Sequence, residues 1–151
     1  LNDCIRSSAK DTIKYFNDNI NIKPLTIVSY VDADYCAECF ANYLRGAERF
    51  VNQFSSADIQ YVIIAYPRSI NELQYSLSLA SVDSSKVRII YDIHDNYLKN
   101  NSITKLASGY NVFLIDESQR IMLMGDPIRI QNMYELYCKQ IQLMLDKMGG
   151  E

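Results

Sequence analysis

The chain has 151 residues, of which 48% are hydrophobic, and this is enough for one domain with a single packed core. Fifteen Lys and Arg against 18 Asp and Glu give a formal net charge of −3. The basic residues are scattered, which argues against a nucleic-acid-binding surface. No stretch is apolar for long enough to cross a bilayer, and four cysteines are too few for a disulfide scaffold.

The first segment is predicted to be an amphipathic helix that precedes the main domain. Apolar residues recur at helical spacing from Ile5 to Ile20, and an Asn-rich stretch ends the pattern before Pro24. We therefore divide the chain into an N-terminal helical extension over residues 1–23 and a domain over residues 24–151. Because the chain begins at Leu1 rather than at Met, we expect that a targeting segment has been removed upstream.

A Cys-x-x-Cys motif lies between a predicted strand and a predicted helix. The run 25–31 is rich in β-branched and aromatic residues, and an apolar stripe recurs every three or four residues from about Ala37 to Phe54. Cys36 and Cys39 therefore fall at a strand-to-helix turn. Free backbone N–H groups and the helix dipole should stabilise a thiolate at Cys36 and lower its pKa. The spacing also allows a disulfide across the first helical turn.

The middle of the chain is predicted to alternate strand, helix and strand. Residues 59–66 form a near-continuous apolar run, as in a central strand covered on both faces. Ser69 and Glu72 have the spacing of a capping box that begins a helix, and residues 87–91 read as another strand. Residues 92–101 are predicted to form a short helix and turn, in which we interpret His94 as a solvated surface residue.

The last third is predicted to be a hairpin followed by a helix. Residues 112–115 and 120–124 are apolar and flank the polar turn 116–119. The helix after them ends at Gly149. Its buried face is expected to carry Ile130, Met133, Leu136, Tyr137, Ile141, Met144 and Met148.

The order strand, Cys36-x-x-Cys39, helix, with a closing hairpin that begins at Asn111 and ends at Gly125, resembles the thioredoxin-like superfamily over about residues 24–147. Within it, the chain is similar to bacterial thiol-disulfide oxidoreductases that carry an inserted helix and strand. The resemblance implies an α/β fold in which a central mixed sheet is flanked by helices. It also implies an extra N-terminal helix, and a helix and strand inserted between about Ser69 and Tyr91.

Two positions depart from the family. Its cis-proline before the closing hairpin falls on Tyr110, and a cis bond before a non-proline residue costs about 2.5 to 4 kcal/mol, so we expect a trans bond. Its buried acid falls on Tyr30, which cannot act as a carboxylate base. We interpret the nearby Asp32, Asp34 and Glu38 as ordinary solvated charges. The residues expected to line the substrate groove are Tyr35, Ala37, Glu38, Gly109, Tyr110 and Asn111.

The resemblance implies thiol-disulfide exchange without a cofactor. Cys36 would attack a substrate disulfide, and a more buried Cys39 would resolve the mixed disulfide. Glu38 places negative charge beside the pair, which should favour a more reducing couple. The expected partners are protein thiols or disulfides and a partner redox protein. The expected location is the periplasm or cell envelope.

Three other interpretations stay open. The first is a non-enzymatic interaction module in which the Cys pair is structural, which the missing proline favours. The second is a peroxiredoxin-type peroxidase, although the residues before Cys36 lack the Thr-x-x-Cys pattern. The third is a zinc site in which Cys36 and Cys39 combine with ligands drawn from Cys4, His94 and Cys138, although the usual second pair is absent.

Overall fold

A computed structural model describes residues 22–32, 35–66, 69–92, 94, 95, 97 and 111–150, and these form a sheet of five strands with three helices. The N-terminal helix expected before residue 22, and most of the short helix expected after residue 92, lie outside them. None of the described helices has the length and apolar character that crossing a membrane requires. The elements are β1 (Leu25–Val31), α1 (Ala37–Asn52), β2 (Ile59–Ala65), α2 (Ile70–Ala80), β3 (Val87–Tyr91), β4 (Val112–Ile115), β5 (Ile121–Met124) and α3 (Gln131–Gly149).

The sheet is mixed, as predicted, with the strand order β3-β2-β1-β4-β5. Strands β1, β2 and β3 are parallel, with Leu25 opposite Ile59, whereas β4 is antiparallel to β1, with Thr26 opposite Ile115. The helix and strand that were predicted to be an insertion, α2 and β3, extend the sheet beyond β2. The carboxyl ends of the three parallel strands therefore meet at one edge of the sheet, and α1 follows β1 from that edge.

Both faces of the sheet are buried at its central strands β1 and β2, which explains the continuous apolar runs of these two strands. Every residue of β1 and of β2 is buried. Ile27 and Val31 of β1 face the core that contains α1, α2 and α3, and Val28 and Tyr30 face a second core on the other side. A strand that must be apolar on both faces cannot show the alternation of a half-exposed strand.

The structure corrects two details of the helices. Helix α1 ends at Asn52 rather than at Phe54, although Phe54 remains 8% exposed in the core. In α3 the predicted stripe is too wide, because Leu136 and Met148 are 50% and 38% exposed. Tyr137 and Ile141, one turn apart, are the buried residues of that helix. A helix that packs through one narrow stripe leaves apolar residues beside the stripe in solvent.

Two short-range predictions are confirmed at the ends of elements. The Ser69 side chain caps α2 by accepting from the Glu72 N–H at 3.5 Å. The β4–β5 turn is held by Asp116, whose Oδ1 accepts from the N–H groups of Ser118 at 2.9 Å and Arg120 at 3.0 Å. Burial acts to raise the pKa of Asp116, but these bonds and the Arg120 guanidinium outweigh it and hold that pKa below its usual value.

Candidate active site

Cys36 and Cys39 form a disulfide at the start of α1, with 5.1 Å between their Cα atoms. Cys36 is the N-cap residue in extended conformation, and its carbonyl accepts from the Phe40 N–H at 2.9 Å. The Cys36 Sγ accepts from the Cys39 N–H at 3.1 Å. The first turn of the helix therefore directs a backbone donor at the sulfur that was predicted to carry the thiolate.

Both cysteines are exposed, so Cys39, which was predicted to be the more buried of the two, is not in the core. Cys39 shares a helix face with Tyr43, which is 5% exposed. Cys39 lies one turn closer than Tyr43 to the beginning of the helix, at the sheet edge. Its side chain remains in solvent, whereas that of Tyr43 lies in the core. Both sulfurs are therefore accessible from outside.

The residues beside the pair occupy different environments. Tyr35 is half-buried, and its ring lies 6.5 Å from that of Tyr43. Ala37 begins α1, and Glu38 is exposed in its first turn. A groove passes Tyr35 and Ala37 on the side that faces α2, and its further walls include Val31, Phe40, Ala65 and Leu73. Two predicted groove residues thus line a depression next to Cys36.

The loop predicted to replace the family's proline is described only at its last residue. Gly109 and Tyr110 lie outside the described residues. Asn111 is half-buried, and its carbonyl accepts from the Tyr30 N–H at 3.1 Å. Asn111 therefore continues the β4 pairing toward the carboxyl end of β1, from which the chain leads to Cys36.

Tyr30, the position at which the family has its buried acid, faces away from helix α1 and from the disulfide. The Tyr30 ring stacks on Tyr97 with 5.6 Å between centroids, and its hydroxyl donates to Asp95 Oδ1 at 2.9 Å. Tyr30 belongs to the core on the opposite face of the sheet from α1. Asp32 and Glu38 are exposed, and Asp34 lies outside the described residues.

A chain of three buried hydroxyls lies under α1, and the sequence analysis missed it. Tyr43 Oη lies 2.8 Å from Ser29 Oγ and 2.9 Å from Tyr61 Oη. Ser29 is 1% exposed, and Tyr61 is fully buried. Two features of the sequence could have indicated this chain of hydroxyls. Tyr43 follows Cys39 by four residues, and Ser29 lies inside an apolar strand.

Residues of the turn between β5 and α3 also contribute to the site, which the sequence did not predict. Gly125 has φ of +134°, a conformation that side chains disfavour, and it directs Asp126 into the core, where Asp126 is 1% exposed. The Arg129 guanidinium carbon lies 4.7 Å from the ring centroid of Tyr35 and 4.9 Å from that of Tyr43. A cation thus lies over the residue that precedes Cys36.

The other candidate ligands and thiols do not converge. Among the described residues, no three His, Cys, Asp or Glu side chains are grouped as a metal site would require. His94 is exposed, as predicted. Cys138 is half-buried with its Sγ 3.7 Å from Gln53 Oε1, and burial raises the pKa of this thiol. Cys4 lies outside the described residues.

Comparisons with solved structures identify the fold, whereas comparisons by sequence identify no family and no curated relative. No known family matches the sequence, and no curated protein resembles it significantly. A thioredoxin-like protein from Aeropyrum pernix superposes with a TM-score of 0.51 at 13% identity, covering 72% of each chain. The thioredoxin domain of a thiol-disulfide oxidoreductase from Bacteroides vulgatus gives 0.52 at 13% identity, covering 77% of this chain and 81% of the other.

A yeast mitochondrial 1-Cys peroxiredoxin also superposes, with a TM-score of 0.54 at 17% identity over 85% of this chain and 68% of its own. These identities are low, and the shared feature is the mixed sheet with its flanking helices. The exposed Cys pair at the start of α1 agrees with the motif from which the resemblance was first drawn. The protein therefore has a thioredoxin-like fold.

Proposed function

We propose that the protein is a thiol-disulfide oxidoreductase that uses Cys36 and Cys39. The observation that carries this proposal is an exposed, bonded Cys pair at the beginning of a helix, where a backbone N–H points at Cys36 Sγ. A structural disulfide needs no such exposure or donor. The Bacteroides vulgatus protein of the same fold is named a thiol-disulfide oxidoreductase, which supports the proposal by analogy.

The reaction follows from the two sulfurs. In the reduced protein, the Cys36 thiolate attacks one sulfur of a substrate disulfide, forming a mixed disulfide and releasing the other substrate sulfur as a thiolate. Cys39 then loses its proton to solvent and attacks Cys36 Sγ. The bond between Cys36 and the substrate breaks, and the second substrate sulfur leaves. The substrate disulfide is reduced to two thiols, and the Cys pair is oxidised.

The charges around the Cys pair have opposing effects on the ionisation of Cys36. The Cys39 N–H and the amino end of α1 stabilise a Cys36 thiolate, and the Arg129 guanidinium over Tyr35 adds a positive charge. Glu38 in the first turn adds a negative charge, but it is exposed and therefore screened by water. The balance favours ionisation of Cys36 over that of an unperturbed thiol.

Alkylation of the reduced protein tests the assigned roles. With a limiting amount of iodoacetamide at neutral pH, Cys36 should be labelled first, because the N-cap position lowers the pKa of its thiol. Cys138 is an internal control, since burial raises its pKa. Peptide mapping by mass spectrometry measures the order. Faster labelling of Cys39 than of Cys36 would reverse the roles.

We also propose that residues 109–111 border the substrate groove in place of the family's proline. Asn111 supports this placement, since its carbonyl pairs with Tyr30 at the end of β1. Backbone groups there would pair with an extended substrate segment as an added strand does.

Substitution of Tyr110→Pro tests this loop. If a proline geometry is what the groove lacks, the variant should fold and exchange disulfides several-fold faster in an insulin-reduction assay, while Pro24→Ala, remote from the motif in sequence, should not change the rate. A folded Tyr110→Pro variant with an unchanged rate would contradict the proposal.

A non-enzymatic interaction module remains the competing function, and two measurements together separate it from an enzyme. The reduction potential of the pair, measured by equilibration with glutathione, is combined with the rate of insulin reduction. An enzyme should cycle between dithiol and disulfide and reduce insulin. A pair that stays oxidised at glutathione ratios typical of cells and shows no insulin reduction would favour the module.

A further inference from the structure

The groove beside Cys36, between the beginnings of α1 and α2, is a feature that disulfide exchange alone does not explain. Its wall nearest the disulfide is formed by Tyr35 and Ala37, the two neighbours of Cys36 in the chain. The buried residues that form its floor are Val31, Phe40, Ala65 and Leu73. The sheet order places β2 on one side of β1 and β4 on the other, so this α1–α2 groove lies across β1 from the loop that ends at Asn111.

The size of the α1–α2 groove limits what can occupy it. It holds about 350 Å³ of space, part of it open to solvent. This volume is near the lower end of the range of about 300 to 1,000 Å³ for ligand pockets, so one or two side chains fit and a large ligand does not. Helices α1 and α2 pack against each other. Packed helix axes are about 8 to 10 Å apart, a distance that an extended chain covers in about three residues.

The rim of the groove carries negative charge. Asp32 at the end of β1 and Glu72 in the first turn of α2 both line the groove and are exposed, and no Lys or Arg is among its described lining residues. Arg129 lies on the far side of this rim, over Tyr35, and Asp32 acts to raise its pKa, so the charge of Asp32 is partly balanced. Arg68 lies outside the described residues. The acidic character of the rim therefore depends mainly on Glu72.

We propose that the α1–α2 groove is a subsite for a polypeptide substrate: it takes one aliphatic side chain within about three residues of the reacting cysteine, and its acidic rim favours a Lys or Arg beside that side chain. Burial of the side chain supplies affinity, and the charge supplies selectivity among disulfides of equal reactivity. That the bound segment carries a disulfide rests on the proposed function, whereas the binding itself does not.

The first test uses peptides that cannot react. A short peptide of Gly and Ser has Ser where a substrate would have its cysteine, and an adjacent Leu and Lys are placed two residues before or two residues after that Ser. Each version is titrated into the ¹⁵N-labelled disulfide form, and amide NMR signals are followed. The signals of Ala65, Ser69 and Leu73 should move with one of the two versions. Replacement of its Leu by Ser should weaken binding about tenfold, since an aliphatic side chain is no longer buried.

The second test exchanges charge on both partners. Replacement of the peptide's Lys by Glu should weaken binding to the wild-type protein about two- to fivefold at low salt, and less at high salt, because the rim is exposed and screened. Glu72→Lys should reverse this preference. Glu117→Lys is the matched control, since it makes the same charge change at an exposed position in the β4–β5 turn, near the opposite end of β1. It should keep the wild-type preference.

Each comparison can overturn the proposal. Equal binding of the Leu and Ser peptides, or unmoved signals of Ala65, Ser69 and Leu73, would refute the subsite, and neither result requires a variant that folds. A preference for Glu over Lys in the wild type, or one that Glu72→Lys and Glu117→Lys change equally, would refute the acidic rim.

Exchange is then measured with the matching cysteine peptides, each paired in a disulfide with 2-mercaptoethanol. Peptides that bind in the groove while their disulfides are not reduced would refute the proposed function and leave the subsite intact. Reduction of all the peptides at one rate, without binding in the groove, would refute the subsite and leave the function intact.

Discussion

Replacement of Cys36 by Ser should lower the rate of disulfide exchange by roughly a thousandfold or more, because a hydroxyl at that position cannot act as a sulfur nucleophile. Cys39→Ser should have a different effect. Attack by Cys36 still occurs, but no neighbouring thiol displaces the substrate. A mixed disulfide between Cys36 and the substrate should accumulate, and it should be visible by non-reducing electrophoresis and by intact mass.

The exposure of both sulfurs makes this difference informative. If either cysteine could act first, each single variant would form a mixed disulfide. With the roles assigned above, only Cys39→Ser should do so, while Cys36→Ser should give little adduct. Cys138→Ser controls for the remaining described thiol and should behave as the wild type. A Cys36→Ser variant that retains wild-type exchange would refute the mechanism.

The second large effect is expected on stability. Phe50→Ala should lower the free energy of unfolding by about 3 to 5 kcal/mol, since it removes a large side chain from a closely packed site. Phe50 is 3% exposed. Its ring lies 5.6 Å from that of Phe54, 5.4 Å from that of Tyr134 and 6.3 Å from that of Tyr137. This aromatic cluster joins α1 to α3.

Urea denaturation followed by circular dichroism measures the loss. Tyr75→Ala is the matched control, because this aromatic residue lies on α2 with 58% of its surface exposed, and its removal should cost less than about 0.5 kcal/mol. A Phe50→Ala variant within about 1 kcal/mol of the wild type would show that α3 does not depend on this cluster.

Most of the secondary structure was predictable because it depends on neighbours in the sequence. The β-branched run 25–31, the stripe after Cys36 and the cap at Ser69 each use local preferences, and each element lies where it was predicted to within two residues. The errors fall where packing decides. In α3 the sequence offers more apolar positions than one contact stripe can bury, so Leu136 is left exposed.

For the site, too, some features follow from the local sequence and others depend on tertiary packing. By itself, the sequence placed Cys36 and Cys39 at a strand-to-helix turn, because the motif and the elements on either side of it are contiguous. It could not show that Tyr30 faces away from α1, or that Asp126 and Arg129 approach Tyr43. Those contacts depend on the register of β1 with β4 and on the turn at Gly125, which join segments far apart in the chain. Only the tertiary structure therefore decided which charges surround the cysteines.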